Sequence, residues 1–133
     1  MDKIEHIGIA VKDLETSNQL FAGLFGKPHY KVEEVASEGV KTSFFKTGPN
    51  KIELLEATNP ESPIAKFIEK KGEGIHHIAF AVSDIISEIA RLKKEGFIVL
   101  NETPKKGADN KLVAFLHPKS TNGVLIELCQ EIE

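Results

Sequence analysis

A single cysteine, Cys129, excludes an internal disulfide framework and fits a reducing compartment. No apolar run approaches the roughly 20 residues that a membrane-spanning helix needs. Basic excess is also missing. The 133-residue chain carries a formal charge of −3, so nucleic acid is not an expected partner. Nothing in the glycine spacing makes a phosphate-binding loop. The absence of paired thiolates argues against a closed structural zinc site. The chain opens directly into strand-like sequence with no signal-peptide pattern. The expectation is therefore a cytoplasmic protein with no membrane partner. Its 41% hydrophobic and 28% charged residues describe an ordinary globular chain.

What the chain does have is a duplication. The stretch Glu5-His6-Ile7-Gly8-Ile9-Ala10-Val11 returns 71 residues later as His76-His77-Ile78-Ala79-Phe80-Ala81-Val82. Each copy is followed by an aspartate, Asp13 or Asp84, and then by a helical pattern. Side chains of a strand alternate between its faces. His6, Gly8 and Ala10 then share one face and Ile7, Ile9 and Val11 the other; His77, Ala79 and Ala81 likewise oppose Ile78, Phe80 and Val82. In each copy a histidine stands among small residues while the bulky face packs on a core.

The remaining patterns extend the repeat. A strand over 3–11 leads to a helix over 14–25, with Asp13 as its cap, Leu14, Leu20, Phe21, Leu24 and Phe25 on one side and Gly26 as its stop. Strands follow over 30–35, 41–47 and 51–57. Ser62 and Pro63 start a connecting helix that Gly72 ends. The order then recurs: a strand over 75–82, a helix over 85–95 burying Ile85, Ile86, Ile89 and Leu92, and strands over 97–100, 112–117 and 124–129. Asn122-Gly123 reads as a hairpin turn, and 101–111 as a polar loop. The fold class is α+β: one domain over 1–133, built from two tandem βαβββ modules (about 1–58 and 74–133) joined by a linking helix within 59–73.

The last strands of the two modules also match. Lys51-Ile52-Glu53-Leu54-Leu55 corresponds to Leu125-Ile126-Glu127-Leu128-Cys129, displaced by 74 residues. Each module thus offers one histidine on its first strand and one glutamate on its last. The repeat alone selects His6, Glu53, His77 and Glu127. Two imidazoles and two carboxylates suit a divalent first-row ion and leave open positions for a chelating substrate. His76 lies on the strand face opposite His77 and reads as structural or as a support to a ligand, and His29 follows a proline in a turn and reads as solvated. His117 begins His117-Pro118-Lys119-Ser120 at a strand end, where a turn role and a ligand role both remain open.

These residues resemble the vicinal oxygen chelate superfamily, and within it the methylmalonyl-CoA epimerase family. The resemblance covers nearly the whole chain. Besides the two opening strands, it rests on Lys51-Ile52-Glu53-Leu54-Leu55, Ser62-Pro63-Ile64-Ala65-Lys66-Phe67, and His117-Pro118-Lys119-Ser120 running into Gly123-Val124-Leu125-Ile126-Glu127-Leu128. It implies an open, barrel-like β cup around one divalent metal, usually cobalt, with zinc, manganese or nickel able to substitute. The implied ligands are His6, Glu53, His77 and Glu127. The implied activity is interconversion of the (R) and (S) forms of methylmalonyl-CoA through an enolate, in a homodimeric enzyme. Inversion needs proton transfer on both faces of C2. Glu127 is the first choice for one face and Glu53, by the repeat, for the other. Some epimerases are thought to use a glutamate where this chain has Thr42, so Glu38 or a bound water are further alternatives. Thr42, His117 and Lys119 are expected at the substrate. Lys119, Lys105, Lys106 and Lys111 are the expected contacts for CoA phosphates, although a lysine-rich loop is ordinarily just solvated. A glyoxalase-like isomerase and a metal-free binding module are the rival readings.

Overall fold

The computed structural model describes residues 1–133. Its contacts form two compact units, His6–His76 and Met1–Glu5 with His77–Glu133. The elements run β1 (Lys3–Ala10), α1 (Leu14–Phe25), β2 (Lys31–Val35), β3 (Val40–Thr47), β4 (Asn50–Ala57), α2 (Pro63–Lys71), β5 (Gly74–Ala81), α3 (Ile85–Lys94), β6 (Lys105–Lys106), β7 (Lys111–Leu116) and β8 (Ile126–Glu131). This is the expected βαβββ order, twice, with α2 between.

In the first unit β4 lies parallel to β1, while β3 pairs antiparallel to both β4 and β2. The second unit repeats the scheme: β8 runs parallel to β5, β7 antiparallel to β8, and β6 antiparallel to β7. A helix covers one face of each sheet. Leu14, Phe21 and Phe25 of α1 pack on Ile9, Val11, Phe45, Ile52 and Leu54. Ile85, Ile89 and Leu92 of α3 pack on Val82, Ala114, Leu116, Ile126 and Leu128. The opposite face of each sheet, called the inner face below, carries the histidines and glutamates.

Helices α1 and α3 are each capped from the strand beside them. The Leu14 N–H donates to Glu56 Oε2 at 3.0 Å, and the Ile85 N–H donates to Gln130 Oε1 at 2.7 Å. Glu56 and Gln130 stand at equivalent repeat positions and satisfy one otherwise orphaned amide each. Asp84 also caps α3, accepting from the Ser87 N–H at 3.2 Å. Asp13 does not cap α1; it accepts from the Thr16 hydroxyl instead. Ser62 caps α2 as expected, accepting from the Ile64 N–H.

Further expectations need correction. Leu20 and Leu24 are about two-thirds exposed, because the stripe that meets the sheet runs through Leu14, Phe21 and Phe25. Ile86 is exposed for the same reason, lying beside the Ile85–Ile89–Leu92 stripe. Residues 97–100 do not form a strand but touch β7 through a single bridge, Val99 to Leu116. Asn101 ends that contact by substituting for a strand backbone, its side chain accepting from the Phe115 N–H and donating to the Val113 carbonyl. The third antiparallel partner is therefore β6, within the supposed loop. Asn122 and Gly123 do adopt positive φ, but they close the longer 117–125 connection rather than a two-residue hairpin.

The repeat also exposes a packing mismatch. Asn18 Oδ1 and Ser43 Oγ are buried without a hydrogen-bond partner between α1 and β3. The second module has Ile89 and Ala114 at the equivalent positions, both in its core. A buried polar atom left unpaired costs on the order of 1–3 kcal/mol. Ser43→Ala and Asn18→Leu should each raise the midpoint of urea unfolding, by about 1 kcal/mol or more in stability. A lower midpoint in both variants would show that the two groups are not a penalty.

Candidate metal and substrate site

The register of each parallel pair positions the four polar residues. In the first unit Gly8 on β1 lies opposite Glu53 on β4, so His6, two residues before Gly8, is diagonal to Glu53 on the same face. In the second unit Ala79 on β5 lies opposite Glu127 on β8, so His77 is diagonal to Glu127 in the same sense. The outcome is the same twice. His6 Nδ1 is 3.1 Å from Glu53 Oε2, and His77 Nε2 is 3.2 Å from Glu127 Oε1. All four side chains are at most 8% exposed. Gly8 and Ala79, the residues directly beside the carboxylates, are too small to cover them.

These pairs fit metal donors. Two ligand atoms each about 2.1 Å from one ion, at angles between octahedral and tetrahedral, are roughly 3.0–3.4 Å apart. Both observed separations fall in that interval. Ionisable groups are rarely buried unless they are paired or bind a metal, and here each half buries one imidazole with one carboxylate. The same distances also suit a hydrogen bond, so each half-site is held together in either state.

The aromatic rows complete the setting. Glu127 lies opposite Phe115 on β7, and the Phe115 ring meets His77 edge-on at 6.1 Å. Glu53 lies opposite Phe44 on β3. Thr42, the next inner residue on β3, is fully buried between Leu55 on β4 and Glu33 on β2. Further along the same face α2 closes the sheet, with Ile64, Phe67 and Ile68 against Ala10, Val40, Leu55 and Ala57. His76 packs edge-on against Phe67 at 5.0 Å.

The other candidates stand apart from the half-sites. His117 is exposed, and its Nδ1 accepts from the Lys119 N–H in the turn after β7. Lys119, Lys105 and Lys106 are exposed. Lys111 is not a solvated loop lysine: it is buried on β7, with its ammonium 3.3 Å from Glu131. That pairing takes it off the set of phosphate contacts. His29 is not simply solvated either, since its ring meets Phe45 edge-on at 5.9 Å. Glu38 sits in a short 3-10 turn beyond the Val35–Val40 pair that closes the β2–β3 hairpin. Two residues escaped the sequence reading, the buried Glu5 and the inner-face Glu33. The strand alternation around 30–35 and the turn at Gly39 held the signal for Glu33.

With this geometry in view, the chain's kinship is informative. Residues 5–115 match the family model of the glyoxalase/bleomycin resistance protein/dioxygenase superfamily, and the chain belongs to that superfamily. It is 42% identical over 130 residues to an ethylmalonyl-CoA/methylmalonyl-CoA epimerase of Cereibacter sphaeroides, covering 96% of this chain and 97% of the relative. Among solved structures, a hypothetical protein of Bacillus halodurans superposes with a TM-score of 0.95 at 46% identity, covering 98% and 95% of the two chains. A methylmalonyl-CoA epimerase in complex with methylmalonyl-CoA and NH4+ superposes with a TM-score of 0.92 at 33% identity, again covering 98% and 95%. The paired βαβββ modules are the fold of this superfamily, as the sequence led one to expect.

The half-site geometry makes a direct prediction. In titrations with Co2+, His6→Ala and His77→Ala should weaken binding at least about tenfold, the lower bound set by what loss of a mere supporting group costs. His117→Asn should leave it unchanged. Equal affinity in all four proteins would exclude the paired histidines as ligands.

Proposed function

We propose that this chain is an epimerase that interconverts the (R) and (S) forms of methylmalonyl-CoA. The observation that carries the reading is the twin buried His–Glu pair, set by the same strand register in both modules, in a chain whose relatives bear the epimerase name. His6, Glu53, His77 and Glu127 would together hold one divalent ion, with cobalt the choice the resemblance implies and zinc, manganese or nickel compatible with the donors. Such an ion supplies Lewis acidity toward the oxygens flanking C2 of the substrate.

The rest is the work of the chain's own groups. The C2 hydrogen is acidic because it lies between a thioester carbonyl and a carboxylate. Glu127 takes that proton on the second module's side. Ala79 beside it is too small to crowd the carboxylate, while Phe115 and His77 restrict its movement. A second proton-transfer group acts from the first module's side, where the repeat offers Glu53. The CoA portion extends outward past His117, with Lys119, Lys105 and Lys106 near its phosphates, while Thr42, buried as it is, bears on the substrate only through its neighbours. The reading includes a homodimer in the cytoplasm, which sedimentation and fractionation would test.

The decisive experiment supplies the metal-loaded protein with (S)-methylmalonyl-CoA in heavy water and follows C2 by NMR. Inversion accompanied by deuterium uptake is expected; a substrate that neither exchanges nor inverts would rule the function out. Ethylmalonyl-CoA belongs in the same assay, because the Cereibacter relative's name includes it. Glu127→Gln should keep most of the metal affinity and lose about a hundredfold or more in turnover. A fully active Glu127→Gln protein would remove Glu127 as the base.

A further inference from the structure

We infer that Asn101 is a positioning residue for the second half-site, and that it acts through Phe115 to fix the geometry of the His77–Glu127 pair. This rests on the reading of that pair as metal donors and deepens it. Every residue concerned belongs to one compact unit, Met1–Glu5 with His77–Glu133.

Phe115 is the neighbour that both members of the pair share. It lies opposite Glu127 on β7, its ring meets the His77 imidazole edge-on at 6.1 Å, and it packs on Ala79, Val113 and Cys129. The Phe115 backbone makes the approach close. Its N–H donates to Asn101 Oδ1 and its carbonyl accepts from the Leu100 N–H at 2.8 Å, so both groups point away from β8. Phe115 and Glu127 are therefore a non-hydrogen-bonded pair of the antiparallel ladder. Such pairs have Cα atoms roughly 4.5 Å apart and the closest side chains across the strands. A ring held there keeps the carboxylate and the imidazole from swinging toward β7.

With neither peptide group spent on β8, the Phe115 backbone is held through residues 100 and 101 instead. The first module shows the same arrangement in regular form. Phe44 lies opposite Glu53, its carbonyl accepts from the Tyr30 N–H at 2.9 Å, and its direct partner is Lys31 on β2. Tyr30 and Lys31 answer to Leu100 and Asn101. In the second module no strand continues past Leu100, and the Asn101 side chain takes the place of one. It accepts from the Phe115 N–H at 2.9 Å and donates to the carbonyls of Val113 at 3.2 Å and Thr103 at 3.4 Å. Strand pairing resumes at Lys105, opposite Val113. One amide thus closes a gap in the sheet edge at the residue that borders the donor pair.

Truncating Asn101 leaves the Phe115 N–H without its partner. Water must then reach it or β7 must shift, and the ring moves with its backbone. A donor pair 3.2 Å apart tolerates little of this, because metal–donor distances vary by only about 0.2 Å. The hydrogen bonds of the Asn101 side chain all go to backbone groups of β7 and its own loop. Its effect on His77 and Glu127 therefore travels through Phe115.

The test combines Co2+ titration, the visible absorption of the Co2+-loaded protein, and urea unfolding of the metal-free protein as a stability control. Asn101→Ala and Phe115→Leu should each weaken Co2+ binding about tenfold, the lower end of what loss of a group supporting a ligand costs. Each should also shift the Co2+ absorption bands, which follow ligand geometry and not the fraction of protein folded. The double variant should again bind about tenfold more weakly than wild type, whereas independent effects would multiply to about a hundredfold. Asn101→Asp keeps the acceptor for the Phe115 N–H and should recover most of the affinity and the wild-type bands. Asn101→Ser serves the same comparisons if the alanine variant does not fold. Defects that multiply overturn the inference, as does an Asn101 variant that loses stability but keeps wild-type affinity and bands. In both cases a wild type that binds Co2+ through His77 still supports the metal reading; a wild type that binds none, or binds as well with His77→Ala, overturns both.

Discussion

Parallel pairing of the first and last strand of each module governs the chemistry. It sets a histidine at one position diagonal to a glutamate opposite the second residue further on, with a glycine or alanine between them. A shift of one residue in either pairing would send the glutamate to the helix-covered face. The cost of burying a carboxylate among leucines and phenylalanines opposes that slip. The helices hold the register from behind. Glu56 and Gln130, each three residues past the buried glutamate of its strand, tie that strand to the first amide of α1 or α3.

The two modules repeat a plan but differ where function does. Their helix faces are nearly interchangeable, with Val11, Leu14, Ile52 and Leu54 answering to Val82, Ile85, Ile126 and Leu128. The inner faces diverge. Opposite the middle residue of the third strand, the first module has Glu33 and the second Lys105.

Much of the site could be read in the chain because duplication supplies its own control. One histidine in a strand says little, but His6 and His77 at matched positions, joined by Glu53 and Glu127, restrict each other. Helix ends were legible where local chemistry decides them, as at Ser62-Pro63 and Gly72. Asp13 was misread because the Thr16 hydroxyl, one turn into the same helix, takes its carboxylate in place of a backbone amide. Residues 97–100 failed as a strand for a similar reason: the Asn101 side chain occupies the hydrogen bonds a ladder would need.

The sequence by itself determined the strand and helix order, the duplication and the two matched His–Glu pairs, because periodicity and matched spacing are properties of the chain. Only the tertiary structure decided that Leu20 and Leu24 face outward, that Lys111 is buried against Glu131, and that Glu33 shares a face with Glu53. Those outcomes depend on which strands become neighbours and in what register. Pairing across a sheet is a long-range choice, and no local pattern contains it.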